Sequence, residues 1–148
     1  GNIAVSFIIG LSFIFCGTAF GNVIPMWTPG LLASGLTLIR EIIKDIADLE
    51  GDQIAKHNTY PIQYGIKGAI KLISVLSCVV FLSALVPYFN NTYNDWYLII
   101  LLIGVEIPLI IVVFLLVKNP TISSAILSSK ILKFSTIMGL SAIYTGSL

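Results

Sequence analysis

The chain has 148 residues, 57% of them apolar and only 10% charged, with a net charge of +1 and a mean hydropathy of +0.99. Globular domains carry roughly a quarter of their residues as charges, so this composition excludes an ordinary soluble domain, and the near-zero net charge offers no field for nucleic acid. The expectation is an all-α polytopic transmembrane bundle, a single membrane domain over residues 1–148 with about five spanning helices.

The first apolar run, about Ile3 to Phe20, follows no basic leader and reads as a span, not a signal peptide. Cys16 within it, like Cys78 further on, has no CxxC partner or neighbouring His and reads as a small packing residue. The second run, about Met26 to Ile43, leads into Glu41-Ile-Ile-Lys-Asp45-Ile-Ala-Asp48-Leu-Glu50-Gly-Asp52, which holds five of the seven acids in the chain. At 100° per residue, Glu41, Asp45, Asp48 and Asp52 fall within about 60° of one another on a continuous helix. Four carboxylates on one face at the mouth of an apolar span call for a compensating cation.

Gly51 is placed either to cap that helix or to turn the backbone and present Asp52 beside Asp48. Asn58-Thr59-Tyr60-Pro61 reads as a turn-rich linker in which Pro61 holds Tyr60 out of the helical region. His57, the only histidine, has no Cys or second His at metal spacing and reads as a solvated loop residue. Further spans are expected at about Ile66 to Phe89, Trp96 to Val117 and Ile131 to Ser147. The Ser-rich stretch Thr121 to Lys130 reads as an interfacial segment before the last of these. Glu106, beside Pro108 in the middle of the fourth span, is a functional candidate because a charge there costs at least ~2.5 kcal/mol.

Charge placement orients the bundle. All eight basic residues, Arg40, Lys44, Lys56, Lys67, Lys71, Lys118, Lys130 and Lys133, lie in or beside the loops 45–65 and 118–130. The opposite loops, 21–25 and 90–95, carry none. The positive-inside rule turns the acidic loop toward the cytoplasm of a multi-pass protein of the cell membrane. The sequon Asn90-Asn91-Thr92 is too short a match to carry an argument.

Carboxylate oxygens suit Mg²⁺, which binds through a few carboxylates together with waters and substrate phosphate oxygens. Arg40, Lys44 and Lys56 flank the acids and supply the positive charge a diphosphate requires. The pattern suggests a metal-bridged diphosphate whose apolar tail lies between the helices. A solvated helix end with pairs such as Glu41–Lys44, or the vestibule of a cation transporter, remain open on spacing alone.

Arg40 to Asp52, followed by Asn58-Thr59-Tyr60-Pro61-Ile62, resembles the second aspartate-rich motif of the UbiA-type intramembrane prenyltransferases. The wording is most similar to the branch of geranylgeranylglycerol-phosphate geranylgeranyltransferases, and word-level similarity runs from Leu38 to about Gly65. The resemblance implies a bundle of about nine helices, of which this chain would be the C-terminal five. It implies Mg²⁺-dependent transfer of a prenyl group, geranylgeranyl in that branch, from prenyl diphosphate to a lipid acceptor. Asp48 and Asp52 match the family's Asp-x-x-x-Asp pair and are expected to act in catalysis and to hold the metal, with Asp45 next and Glu41 one turn deeper. Arg40, Lys44 and Lys56 are expected on the diphosphate or the acceptor phosphate. No Asn/Asp-x-x-x-Asp motif precedes Glu41, so the chain alone would carry half of the metal site and be inactive without the missing helices. Where the family has Gly-x-x-Thr-Leu-Pro, this chain has Ala55-Lys56-His57-Asn58-Thr59-Tyr60-Pro61, with the glycine missing or shifted and Tyr60 in place of leucine.

Other classes fit less well. Asp45-x-x-Asp48 begins the CDP-alcohol phosphotransferase pattern, but Leu49 stands where glycine is required. A transporter would place more polar groups than Glu106 at membrane depth. A sister prenyltransferase with an aromatic acceptor is disfavoured only by motif wording.

Overall fold

The computed structural model describes all residues Gly1 to Leu148 and is helical throughout, without strands. Helix α1 (Asn2–Ala19) buries only the small residues Ser6, Gly10 and Gly17 and leaves Ile3, Phe7, Ile8 and Phe15 exposed. Lipid tails are as apolar as these residues, so close backbone packing, not apolar burial, selects the contact face. A short turn, Ile24–Met26, leads into α2 (Trp27–Ala47). Gly10 and Gly30 meet at the α1–α2 crossing, where a Cβ on either would stand 3.0 Å from the other's carbonyl oxygen.

Helix α2 occupies the middle of the bundle, packing on α1, on α4 (Tyr60–Phe89) and on α7 (Ile122–Gly146). Its buried stripe of Leu32, Leu36, Ile39, Ile43 and Ile46 has helical spacing. Facing it are Ala69, Ile73, Val80 and Ala84 of α4 and Ala125, Leu132 and Ala142 of α7, within one contiguous core. The short helix α3 (Leu49–Ile54) joins α2 to α4. After α4 come α5 (Asp95–Leu101), a π-helical segment Leu102–Glu106, and α6 (Ile107–Lys118), which form one continuous rod antiparallel to α7. Tyr97 is fully buried and donates its hydroxyl to the Ala84 carbonyl at 2.7 Å, tying α5 to α4.

Four helical rods, α1, α4, α5–α6 and α7, are long and apolar enough to cross a bilayer. Helix α2 has the length but carries Arg40, Glu41, Lys44 and Asp45 in its last two turns. Two helix starts differ from the sequence expectation. Helix α4 starts at Tyr60, because Pro61 falls in its first turn, where a missing N–H costs nothing. It kinks at Gly65, whose φ of +73° only glycine adopts freely. Helix α7 starts at Ile122, so the Ser-rich stretch is the first part of the same helix as the last span; Ala125 and Ser128 are buried there, and Thr121 caps the first turn by accepting from the Ser124 N–H.

Glu106 ends the π-helical turn. It is 1% exposed, and neither carboxyl oxygen has a hydrogen-bond partner. Substituting Glu106→Leu removes an unsatisfied group at nearly constant volume and is expected to stabilise the fold by about 1–3 kcal/mol. A thermal melt in detergent checks this; a lower melting temperature would show that the carboxyl has a partner worth keeping.

Candidate functional site

The acidic segment does not run as one helix. Helix α2 stops at Ala47, Asp48 takes φ −96° and ψ 11°, and α3 restarts at Leu49 on a new axis. Gly51 therefore lies inside α3 and caps nothing; the break comes one turn earlier than glycine placement suggests.

The break sorts the carboxylates into three environments. Glu41 is taken by two cations: Arg40 Nη1 donates to its Oε1 at 3.3 Å and Lys44 Nζ to its Oε2 at 3.2 Å. Asp45 Oδ2 accepts from the Asn2 side-chain amide at 2.6 Å, a bond that fastens the start of α1 to the end of α2. Burial pushes the Asp45 carboxyl above its ordinary range; the Asn2 bond opposes this, and the nearby Asp52 and Glu41 charges add to it. Asp48 and Asp52 face a polar cleft of 620 Å³ closed by Ala47, Glu50, Gly51 and Ile122 of α7.

Glu50 was not among the expected site residues. On an unbroken helix it would point opposite to Glu41, and only the new axis of α3 brings it to the cleft. Asn2 was missed as well, since nothing local in the sequence links it to a residue 43 positions away. His57, expected in solvent, is exposed but bonds Asp52 through Nδ1 and Oδ1 at 3.1 Å, and so orients that carboxylate.

Lys56 ends α3 in the left-handed region, with φ of +55°. This is the position at which the Gly-x-x-Thr-Leu-Pro pattern has glycine. A Cβ there costs about 1–2 kcal/mol. Lys56→Gly is expected to recover about 1 kcal/mol of stability, read as a higher melting temperature, while removing a cation from the mouth of the site.

No three Asp, Glu, His or Cys side chains are arranged to hold a metal ion by themselves. Two carboxylates across an open polar cleft fit a hard cation that completes its octahedron with water and phosphate oxygens, which is how Mg²⁺ is commonly bound. Elsewhere in the bundle, Phe81 and Phe114 line an apolar groove of 520 Å³ between α4 and α6.

The model of the UbiA prenyltransferase family matches residues 1–137. The chain is 34% identical over 148 residues to a digeranylgeranylglyceryl phosphate synthase of Methanosphaera stadtmanae, covering 100% of this chain and 54% of that protein. It is 36% identical over 148 residues to the synthase of the same name from Methanococcus aeolicus, covering 100% and 52%, and 37% identical over 152 residues to that of Methanobrevibacter smithii, covering 99% and 52%. A solved structure, described as giving insights into digeranylgeranylglyceryl phosphate synthase in membranes, superposes with a TM-score of 0.92 at 32% identity, over 99% of this chain and 52% of that one. The chain spans about half the length of the curated relatives it matches.

Proposed function

This chain belongs to the UbiA prenyltransferase family, and from that membership we propose that it supplies one half of an intramembrane enzyme that transfers a geranylgeranyl group from its diphosphate to geranylgeranylglyceryl phosphate. The observation that carries this reading is the cleft at the end of α2 that Asp48, Glu50 and Asp52 line together. The relatives' shared name supports the choice of acceptor, and the cleft supports the chemistry.

Asp48 and Asp52 hold the Mg²⁺ in this proposal, with Glu50 at the rim. An Mg²⁺ ion held by these residues would supply the positive charge that a departing diphosphate requires. His57 orients Asp52 through the 3.1 Å contact. Lys44 and Lys56 offer ammonium groups to diphosphate oxygens as charge develops on them. Glu41, already paired, positions Arg40 and Lys44 and is not a metal ligand here. Asp45 is a positioning residue through Asn2. As the C1–O bond to diphosphate breaks, the acceptor hydroxyl oxygen bonds to C1 and its proton passes to the released diphosphate. The apolar helices keep competing water away from the allylic cation.

The other half of the metal site, an Asn/Asp-x-x-x-Asp motif, is expected in a partner segment comprising the remaining helices. The acidic loop faces the cytoplasm of the cell membrane, in keeping with the basic residues around it. The test is product formation by full-length protein in liposomes, given labelled geranylgeranyl diphosphate, Mg²⁺ and either geranylgeranylglyceryl phosphate or 4-hydroxybenzoate. Label in a doubly prenylated lipid is the expected result. Label in the aromatic product alone would move the chain to the quinone-type branch, and label in neither would contradict the transfer reaction.

A further inference from the structure

We infer that the apolar groove between α4 and α6 seats an anionic phospholipid of the bilayer, one chain of which fills the groove while its headgroup meets Lys67, Lys71 and Lys118. The groove, 520 Å³ in volume, shares no residue with the acidic cleft at Asp48 and Asp52. Its occupant is a constituent of the membrane and not a reactant, so the inference does not depend on the prenyl-transfer reading.

The cations and the groove lie on common helix faces. Along α4, Lys67, Lys71, Ser74, Cys78 and Phe81 follow one another in steps of three or four residues, within about 80° around the helix. Ser74, Cys78 and Phe81 line the groove, and the two lysines continue the stripe beyond its end. On α6, Phe114 and Val117 line the groove and Lys118 follows directly, with its Nζ 5.7 Å from the Phe114 ring centroid. The bonds from Tyr88 to Asp95 and from Tyr97 to Ala84 fold α5 back beside α4, so Lys118 returns to the end of the bundle at which Lys67 and Lys71 stand.

Charge complementarity identifies the occupant. Neither α4 nor α6 contains an acid. All three lysines are exposed and none makes an ion pair. Clustered lysines at a membrane surface attract anionic headgroups, and their aliphatic stems can lie along the lipid chain. Because α4 and α6 touch, the space between them is a groove between helix ridges. A hydrocarbon chain enters such a groove, whereas a further helix about 10 Å across would rest on the ridges and leave it open. Ser77 supplies a second, independent observation: it lines the groove at 5% exposure, and its hydroxyl has no partner in the protein. A buried hydroxyl in a bilayer needs an acceptor. Ser77 lies six residues inward from Lys71, about 9 Å of rise. With the phosphate at the lysines, the oxygens that link head to chains are the polar lipid atoms nearest its level.

The test uses full-length protein, delipidated in detergent and titrated with dioleoyl phosphatidylglycerol or dioleoyl phosphatidylcholine, with native mass spectrometry as the readout. Wild type is expected to retain one phosphatidylglycerol at least roughly tenfold more tightly than phosphatidylcholine. Changing Lys67, Lys71 and Lys118 together to glutamine should abolish that preference without weakening phosphatidylcholine, while changing all three to arginine should keep it. Cys78→Phe, which fills the groove from an exposed position, should weaken both lipids equally. Melting temperatures measured without lipid should match wild type in all three variants, which separates lost binding from lost fold. No retained lipid, equal retention of the two lipids, a preference that survives the glutamine variant, or wild-type binding by Cys78→Phe would each overturn the proposal. So would a dimer that Cys78→Phe dissociates, which would put a second copy of the protein on this face. Failure of the prenyltransferase reading shows separately, as absence of Mg²⁺-dependent diphosphate binding in the wild-type protein.

Discussion

Replacing Asp48 and Asp52 together by asparagine is expected to lower Mg²⁺-dependent prenyl transfer by at least roughly a thousandfold, with little change in stability. The two effects separate because of where the side chains sit. Asp48 is exposed, and Asp52 forms one side-chain bond, to His57, which an amide oxygen can still accept. Shape and hydrogen bonding survive the change; the charge that holds a divalent cation does not. Asp45→Asn makes a useful contrast. Asp45 meets Asn2 rather than the cleft, so its loss should cost far less activity than the double variant. Equal losses would mean that the three carboxylates act as one set.

The largest structural effect is expected from Gly30→Leu. At the α1–α2 crossing a Cβ on Gly30 would lie 3.0 Å from the Gly10 carbonyl oxygen and 3.6 Å from Phe13 Cβ. Backbone cannot rotate aside as a side chain can, so the helices must separate, at a cost near or above the ~3 kcal/mol upper end of overpacking. Separation would also pull Asn2 away from Asp45, since that bond joins the same two helices. Unfolding in detergent should show a clear fall in melting temperature. Gly51→Ala is the control: nothing lies within 4 Å of a Cβ there, and alanine in that helical turn should be neutral or slightly stabilising.

Much of this was legible in the sequence for simple reasons. Long apolar runs can only be satisfied as helices in a bilayer, and the runs that begin at Ile3, Met26, Ile66, Trp96 and Ile131 each lie within one helical rod, to within a residue at either end. The junctions were harder to read. Nothing at Asp48 itself, neither glycine nor proline, marks the break in α2, so the one-face argument placed Glu41 and Asp45 with Asp48 and Asp52. The structure instead gives Glu41 to its flanking cations and Asp45 to Asn2. Proline before a helix was read as excluding Tyr60, when a first-turn proline starts helices as readily as it ends them. Lys56 is a further case: its left-handed backbone is invisible to propensity, and a family pattern whose glycine is missing or shifted here did not single it out.

The most direct measurement is the affinity of full-length protein for geranylgeranyl diphosphate with and without Mg²⁺, in wild type and in the Asp48→Asn/Asp52→Asn variant. Tight binding that requires the metal, and that the variant loses while its melting temperature holds, is the predicted result. Binding that is indifferent to Mg²⁺, or that the variant retains in full, would contradict the assignment of the α2–α3 junction as a metal-diphosphate site.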